Sequence, residues 1–476
     1  MERIHAEGMR FYAEDGREVL FNGTNVVCKK KELGYTWPDL EPVFRRFKEQ
    51  GFNLLRYGIL WDGVEPEPGV YDDEYLGRVK ENIRLAEKYG LYVFLDMHQD
   101  LFSVKWIDGA PLWATLDDGL PHPEGCTMWY EAYLSSEAVI RAADSFWQNR
   151  PAADGVGLLD HYAAMWTHIA EFFADCGNVI GYEPMNEPFM GSRGRQAFGI
   201  ASMEVNAKYP GFDLSDVTKV TPEQQAYFME RLSAQFMEFD RTVLMDFYRR
   251  MQEAVAKGTD AAAENAENSG LRWPALVTGG NIYCSSNVTT GLERLDGPTA
   301  QIYAPHGYDS VVDSDRYDSY NKANVEALFA DKRASQERLD LPVIVGEWGA
   351  FPSKVFINGL IEFMNGILEK YLWSSTYYDW QPGREADPNF DALRRAYPVL
   401  TAGTLLSYHY DRGQKAFRME YESSGEGETV IYCPFTPAEL KPGEEAAADI
   451  VPAEDGSEAC YIMVKAPKGR QLITLS

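Results

Sequence analysis

From residue 52 onwards, short apolar runs alternate with longer stretches of helical period. The runs FNLLRYGIL (52–60), LYVFLDMH (91–98), VIGYEP (179–184), ALVTGG (275–280), QIYAPHGY (301–308), PVIVGEWGA (342–350) and SSTYYDW (374–380) predict strands. Helices are predicted around 73–89, 158–174, up to about 257, 323–337 and 356–370. Ahead of them, MRFYAED (9–15) and REVLFNGTNVV (17–27) flank the turn Asp15–Gly16 and predict a hairpin. Strands that are apolar along their whole length and separated by helices are parallel strands covered on both faces. Roughly eight of them precede residue 381, and no glycine-rich phosphate loop follows the first, which fits a (β/α)8 TIM barrel better than an open sheet. Two long segments, 99–150 and 189–220, carry no clean period, and DAAAENAENSG (260–270) is expected as a surface loop.

Past Pro398 the pattern changes. GQKAFRMEYE (413–422), GETVIYCPF (427–435), EACYIMVKA (458–466) and RQLITLS (470–476) are short alternating runs divided by Gly, Pro and Glu, the pattern of an antiparallel module. The expected organisation is a barrel with its N-terminal hairpin over 1–397 and a C-terminal antiparallel β-sandwich over 398–476.

The polar residues matter because of where they fall. His98, Glu187, His306, Glu347 and Trp380 lie at the ends of predicted strands, and chemistry in such barrels gathers at the C-terminal strand ends. Glu187 and Glu347 can face each other across the barrel mouth, as two carboxylates flanking one glycosidic bond must. The alternative for each is a buried carboxylate paired with arginine. Arg56 has a ready partner of that kind in Glu183, at the end of the strand leading to Glu187. His98 and Asp100 form an HxD pair that reads as sugar-hydroxyl binding, as a satisfied core histidine, or as a metal pair. No third ligand sits at a matching spacing, so no metal is expected.

Bulk properties narrow the classes. The 476 residues carry a net charge of −28, which argues against nucleic acid and against electrostatic adhesion to anionic lipid. Aromatic residues make up 13%, enough to supply both core and stacking surfaces. The six cysteines form no CxxC pair, and Cys433 and Cys460 are placed where they could bridge. No apolar stretch is long enough to span a membrane and no leader pattern opens the chain. A soluble monomer is expected, secreted if a leader has been removed and otherwise cytoplasmic.

GYEPMNEP followed by VGEWGA, in order with NLLRYGILWDGVEPEPGVYDDEYL, LDMHQD, YAPHGY and YYDWQ, resembles glycoside hydrolase family 5 over most of residues 10–381. More narrowly, LDMHQD, the tryptophan-containing loops and the terminal β module look like the endoglycoceramidase and glycosylceramidase branch. The resemblance implies a retaining β-glycosidase that releases the glycan of a glycosphingolipid from ceramide, without cofactor or metal. It implies Glu187 as acid/base, Glu347 as nucleophile, Asn186 on the sugar 2-hydroxyl and Arg56 holding the nucleophile ionised. His306 or Tyr308 would hydrogen-bond the nucleophile region, His98 and Asp100 would bind hydroxyls, Trp380 would floor the reactive sugar, and Lys30 would reach a further hydroxyl. Pro184 and Trp348 depart from the family's usual pattern, which bears on local geometry and on the site floor. Residues 101–116 and 188–190 could line an apolar groove for the lipid, with peripheral contact to a lipid or micelle surface, or could simply pack the loops. The rival readings are a β-glucosidase or glucosylceramidase, a β-glucan endohydrolase with the same site, and a catalytically idle carbohydrate- or lipid-binding barrel.

Overall fold

The computed structural model describes the chain except residues 124, 126–127, 213–219, 264–271, 298 and 454–455. Eight parallel strands form the central sheet: β1 (Asn22–Val27), β2 (Leu54–Leu60), β3 (Tyr92–His98), β4 (Val179–Glu183), β5 (Arg272–Thr278), β6 (Thr299–Tyr303), β7 (Ile344–Val345) and β8 (Ser374–Trp380). β8 pairs with β1, and a parallel bridge between Tyr303 and Val343 joins β6 to the entry of β7, closing the ring into a barrel. Every residue of β2 is buried, as a strand between barrel interior and helices requires. Glu347–Trp348 continues β7 beyond Gly346 and pairs with His306–Gly307, so His306 sits beside Glu347 by register.

The expected helices form at Asp73–Lys88, Leu158–Phe172, Met245–Ala263, Lys322–Leu339 and Asn358–Tyr371. The two segments without period contain helices as well, at Glu137–Trp147 and Ser192–Lys208. The first buries Ala138, Val139, Ile140, Ala142, Ala143, Ser145 and Phe146 and turns Glu137, Arg141 and Asp144 outward, an amphipathic period confined to three turns within a long segment rich in Trp, Pro and Gly. The second packs through Gly194, Ala197, Ala201 and Val205, which recur at helical spacing but are too small to read as an apolar stripe.

The lower end of the barrel is plugged by the N-terminal hairpin. Ile4, Phe11, Ala13, Val19 and Phe21 form one apolar cluster with Leu54, Phe94, Ile180, Ala275, Val277, Ile302 and Ile344 from the barrel strands. Burying a phenylalanine there contributes about 1.5–3 kcal/mol. The same hairpin strands extend the C-terminal sheet through the pair Val19 and Leu400, tying the two parts of the molecule together.

The C-terminal strands form two antiparallel sheets. Leu405, Tyr408, Phe417, Met419 and Ile473 of one pack on Ile431, Tyr432, Ile462 and Val464 of the other. Cys433 lies directly opposite Cys460 across this sheet, but both are buried free thiols and no bridge joins them. Among the described residues, no helix is long and apolar enough to cross a membrane.

Candidate active site

Arg56, at the middle of β2, is fully buried and organises the upper end of the barrel. Its Nε donates to Glu183 at 2.7 Å, its Nη1 to Glu347 at 2.6 Å and Asn25 at 2.9 Å, and its Nη2 to Asn186 at 2.8 Å. Asp96 lies 3.1 Å from Nη2. One guanidinium thus serves three carboxylates, contacting Glu183 and Glu347 at once. Burying three carboxylates around one cation is costly unless other positive charge is close. His98 and His306 supply it. His98 Nδ1 is 2.7 Å from Asp96, and His306 Nδ1 is 3.0 Å from Glu187 and 3.5 Å from Glu347. Burial pushes His98 down, and Lys29 adds to that, but Asp96 and Asp100 outweigh both and lift its pKa to about 10. His306 is raised too, burial being overcome by Glu347 and Glu187.

Glu187 follows β4 with φ +40°, a left-handed conformation that a glutamate adopts at a cost of about 1–3 kcal/mol. The turn is held by Gln99, whose Nε2 donates to the carbonyls of Asn186 (2.9 Å) and Glu187 (3.1 Å). Asn186 N donates to Met97 O at 2.9 Å. The result aims Glu187 across the mouth at Glu347. The facing oxygens of the two carboxylates, with His306 between them, lie within 4.8 Å of one another. Oxygens that close suit the paired spacing of about 5–5.5 Å used when one carboxylate attacks directly.

The two carboxylates differ in environment. Burial opposes ionisation of Glu347, but His306, Arg56 and His98, with a 2.7 Å hydrogen bond from Tyr308 Oη, hold its pKa below the ordinary value. Glu183 moves the other way, raised by burial despite Arg56. Glu187 is 13% exposed and accepts a 2.6 Å hydrogen bond from Ser285. A carboxylate held ionised opposite one with access to the cavity can divide nucleophilic and proton-transfer work.

Above this pair opens a cavity of about 710 Å³. Its inner end is lined by Lys29, His98, Asp100, Asn186, Glu187, Tyr308, Glu347 and Tyr378. Its outer end is mainly apolar, with Trp129, Tyr130, Tyr133, Leu134, Ile282 and Val312, and carries Glu131, Ser286, Ser310 and Asp313 beside them. Trp129 Nε1 donates to Asp313 at 3.0 Å, joining the two loops across the mouth.

Arg56, His98, Asp100, Asn186, Glu187, His306, Tyr308 and Glu347 therefore converge, and two expected residues do not. Lys30 is exposed, its ammonium resting 5.2 Å over the Trp37 ring. Lys29 takes its place in the cavity, bonded to Asp100 and 3.4 Å from Asp108. Trp380 is only 1% exposed and lies outside the cavity, edge-on to Trp37 and Phe47, with its Nε1 donating to Glu385 at 2.8 Å. The pairing of β8 with β1 shifts register between Tyr377 and Trp380, which breaks the two-residue alternation. Tyr378 is the aromatic that reaches the site, nearly parallel to His98 at 6.4 Å. Trp348 also faces away, packed on Tyr377 at 5.2 Å, and so is not part of the floor. Pro184 follows directly on β4, its carbonyl accepting from Tyr162 (2.6 Å) and Trp166 (3.3 Å). Leu101, Phe102, Phe189 and Met190 are buried in packing clusters and not on the cavity wall.

His98, Asp100 and Asp108 bring three ligand-type atoms together, Asp108 being the third group that spacing did not reveal. The Lys29 ammonium sits against both aspartates, so the charge a cation would bring is already supplied by the chain. Counting by twos from Asn25, which faces Arg56, leads to Lys29 and was the available signal. Asp108 lies on a loop, and Tyr133 and Ser285 in the single turns Ala132–Ser135 and Ile282–Ser285, too short for any periodicity to report.

The family described as cellulase (glycosyl hydrolase family 5) matches residues 12–383, and the glycoside hydrolase family 5 C-terminal domain matches residues 395–441. An endoglycoceramidase of Hydra vulgaris is 33% identical over 470 residues, covering 88% of this chain and 77% of that protein. An endoglycoceramidase of Cyanea nozakii is 32% identical over 260 residues, and there the alignment spans 48% of this chain and 50% of that protein. The solved structure of endo-glycoceramidase II from Rhodococcus sp. superposes with a TM-score of 0.73 at 25% identity, covering 98% of both chains.

Proposed function

The chain belongs to glycoside hydrolase family 5, and from that premise we propose that it is a retaining β-glycosidase that cleaves the bond between glycan and ceramide in glycosphingolipids. The observation that carries this reading is the approach of one oxygen each of Glu187 and Glu347 to within 4.8 Å, beneath a cavity polar at its inner end and mainly apolar at its outer end. Glu347 attacks the anomeric carbon while Glu187 protonates the glycosidic oxygen and ceramide leaves. Glu187 then takes a proton from water, which releases the sugar from Glu347. Asn186, anchored by Arg56, faces the 2-hydroxyl. His98, Lys29 and Asp100 bind sugar hydroxyls, and Tyr378 supplies the flat surface beside them.

The apolar outer end, walled by Trp129, Tyr133, Leu134 and Ile282, receives the lipid. Val355 and Phe356, 71% and 58% exposed on the segment after Glu347, offer contact with a micelle or bilayer. With a net charge of −28, that contact rests on apolar insertion.

Supplying glycosphingolipid in detergent micelles beside a soluble β-glucan tests the substrate class. The expected products are intact glycan and ceramide, seen by mass analysis, with little glucan cleavage. Preferential turnover of the glucan would overturn the lipid reading.

Tyr308→Phe isolates the bond that helps keep Glu347 ionised. The nucleophile works as a carboxylate, so activity falls as pH drops through its pKa. Removing the Tyr308 donor raises that pKa, and the acidic limb of kcat/KM should move to higher pH, with a loss of roughly tenfold at its plateau. An unmoved limb would show that Tyr308 does not tune the nucleophile.

A further inference from the structure

Ser285 and the loop that carries it have no role in the mechanism so far. Ser285 Oγ donates to Glu187 Oε1 at 2.6 Å, and His306 Nδ1 approaches the same oxygen at 3.0 Å. The ionised Glu347, 3.5 Å from His306 Nδ1, favours a proton on that nitrogen, so Nδ1 donates to Oε1. Oε1 thus receives two donors. A carboxylic acid whose one oxygen accepts two hydrogen bonds carries its proton on the other.

The loop is fixed with unusual care for a surface connection. Asp240, fully buried in the π-helical turn Asp240–Leu244, accepts from Asn281 Nδ2 at 2.7 Å, Thr290 Oγ1 at 2.7 Å and Gly291 N at 2.9 Å. Such turns are often retained at functional sites. Lys332, 1% exposed and bonded to no carboxylate among the described residues, donates instead to the carbonyl of Cys284, next to Ser285. Ile282 N donates to Pro188 O at 3.1 Å, and Tyr308 N to Ser285 O at 3.0 Å. The loop therefore touches the residue after Glu187 on one side and the Glu347 partner Tyr308 on the other. A buried carboxylate and a buried ammonium are expensive ways to hold a loop that does only packing.

We infer that Ser285 is a positioning residue that, with His306, occupies Oε1 of Glu187 and so assigns Oε2 as the oxygen that delivers the proton to the leaving alcohol. The inference rests on Glu187 being the acid. In the step it serves, the Oε2–H bond breaks as the proton passes to the glycosidic oxygen. The bond from that oxygen to the anomeric carbon breaks with it, and Glu347 forms the new carbon–oxygen bond. Losing Ser285 frees Oε1 to share the proton and lets the carboxyl rotate, which harms only reactions that need protonation.

The test uses two matched β-glycosides, one of an alkyl alcohol and one of 2,4-dinitrophenol, which leaves without a proton. Wild type, Ser285→Ala, Ser285→Gly, Ser285→Thr and Glu187→Ala are compared by kcat/KM and by thermal unfolding. Ser285→Ala and Ser285→Gly should lose about tenfold on the alkyl glycoside and less than about twofold on the dinitrophenyl glycoside, and Ser285→Thr should recover the alkyl rate. Equal loss on both substrates, or none on the alkyl glycoside, overturns the inference. If Glu187→Ala is selective for leaving group while the Ser285 variants are not, the inference falls and the role of Glu187 stands. If Glu187→Ala shows no selectivity, both fall together.

Discussion

Glu347→Gln should lower kcat/KM on a glycosphingolipid by roughly 10⁴-fold or more while leaving the protein folded. The amide keeps the shape and still accepts from Arg56, whose Nη1 lies 2.6 Å from Oε1. What it loses is the negative charge and the nucleophilic oxygen pair. The surroundings exist to sustain that charge: Arg56, His306, His98 and the Tyr308 hydroxyl together overcome the burial of the side chain. Without a carboxylate the covalent route has no first step, and no other acid replaces it. Glu183 is turned toward Arg56, and Glu187 is needed to protonate the leaving group. Steady-state kinetics with a thermal unfolding control provide the check. A rate within tenfold of wild type would remove Glu347 as nucleophile.

Glu187→Ala has a second large effect, and its signature is selective. General acid catalysis contributes about 10²–10⁴-fold. Ceramide leaves as an alkoxide unless protonated, so turnover of the natural substrate should fall by that amount. A dinitrophenyl glycoside needs no proton, so its first step should persist near the wild-type rate. The second step needs a base to activate water, so the glycosyl-enzyme should accumulate and appear as a burst. A fall of the same size on both substrates would deny Glu187 its acid role.

The barrel was legible because its strands are apolar throughout and because their polar residues cluster at one end. Register then does the rest: β1, β2, β3 and β4 bring Asn25, Arg56, Asp96 and Glu183 round one centre. The helix at Glu137–Trp147 escaped although Glu137, Arg141 and Asp144 form a polar stripe, because its three turns lie inside a segment whose Trp, Pro and Gly residues read as loop. That at Ser192–Lys208 escaped because its packing face is made of small residues. In the site, residues at strand ends could be read and residues on loops could not. Asp108 meets Asp100 through a 2.9 Å bond to its backbone nitrogen, a contact between loop positions that periodicity cannot show. Trp380 was the natural stacking candidate by residue type, but a register shift in β8 turns it into the Trp37–Phe47 packing and leaves Tyr378 at the cavity. The apolar cavity wall comes from Trp129–Leu134 and the loop at Ile282, while the more apolar segments near 101–116 and 188–190 mostly secure the loops.

Trapping the glycosyl-enzyme addresses the central claim. The protein would be incubated with a 2-deoxy-2-fluoro β-glycoside bearing a dinitrophenolate leaving group, then digested, and its peptides weighed and fragmented. A single fluoroglycosyl addition on Glu347, within VIVGEWGA, with loss of activity in step with labelling, is the expected result. A label on Glu187, or continued turnover with no label at all, would contradict it.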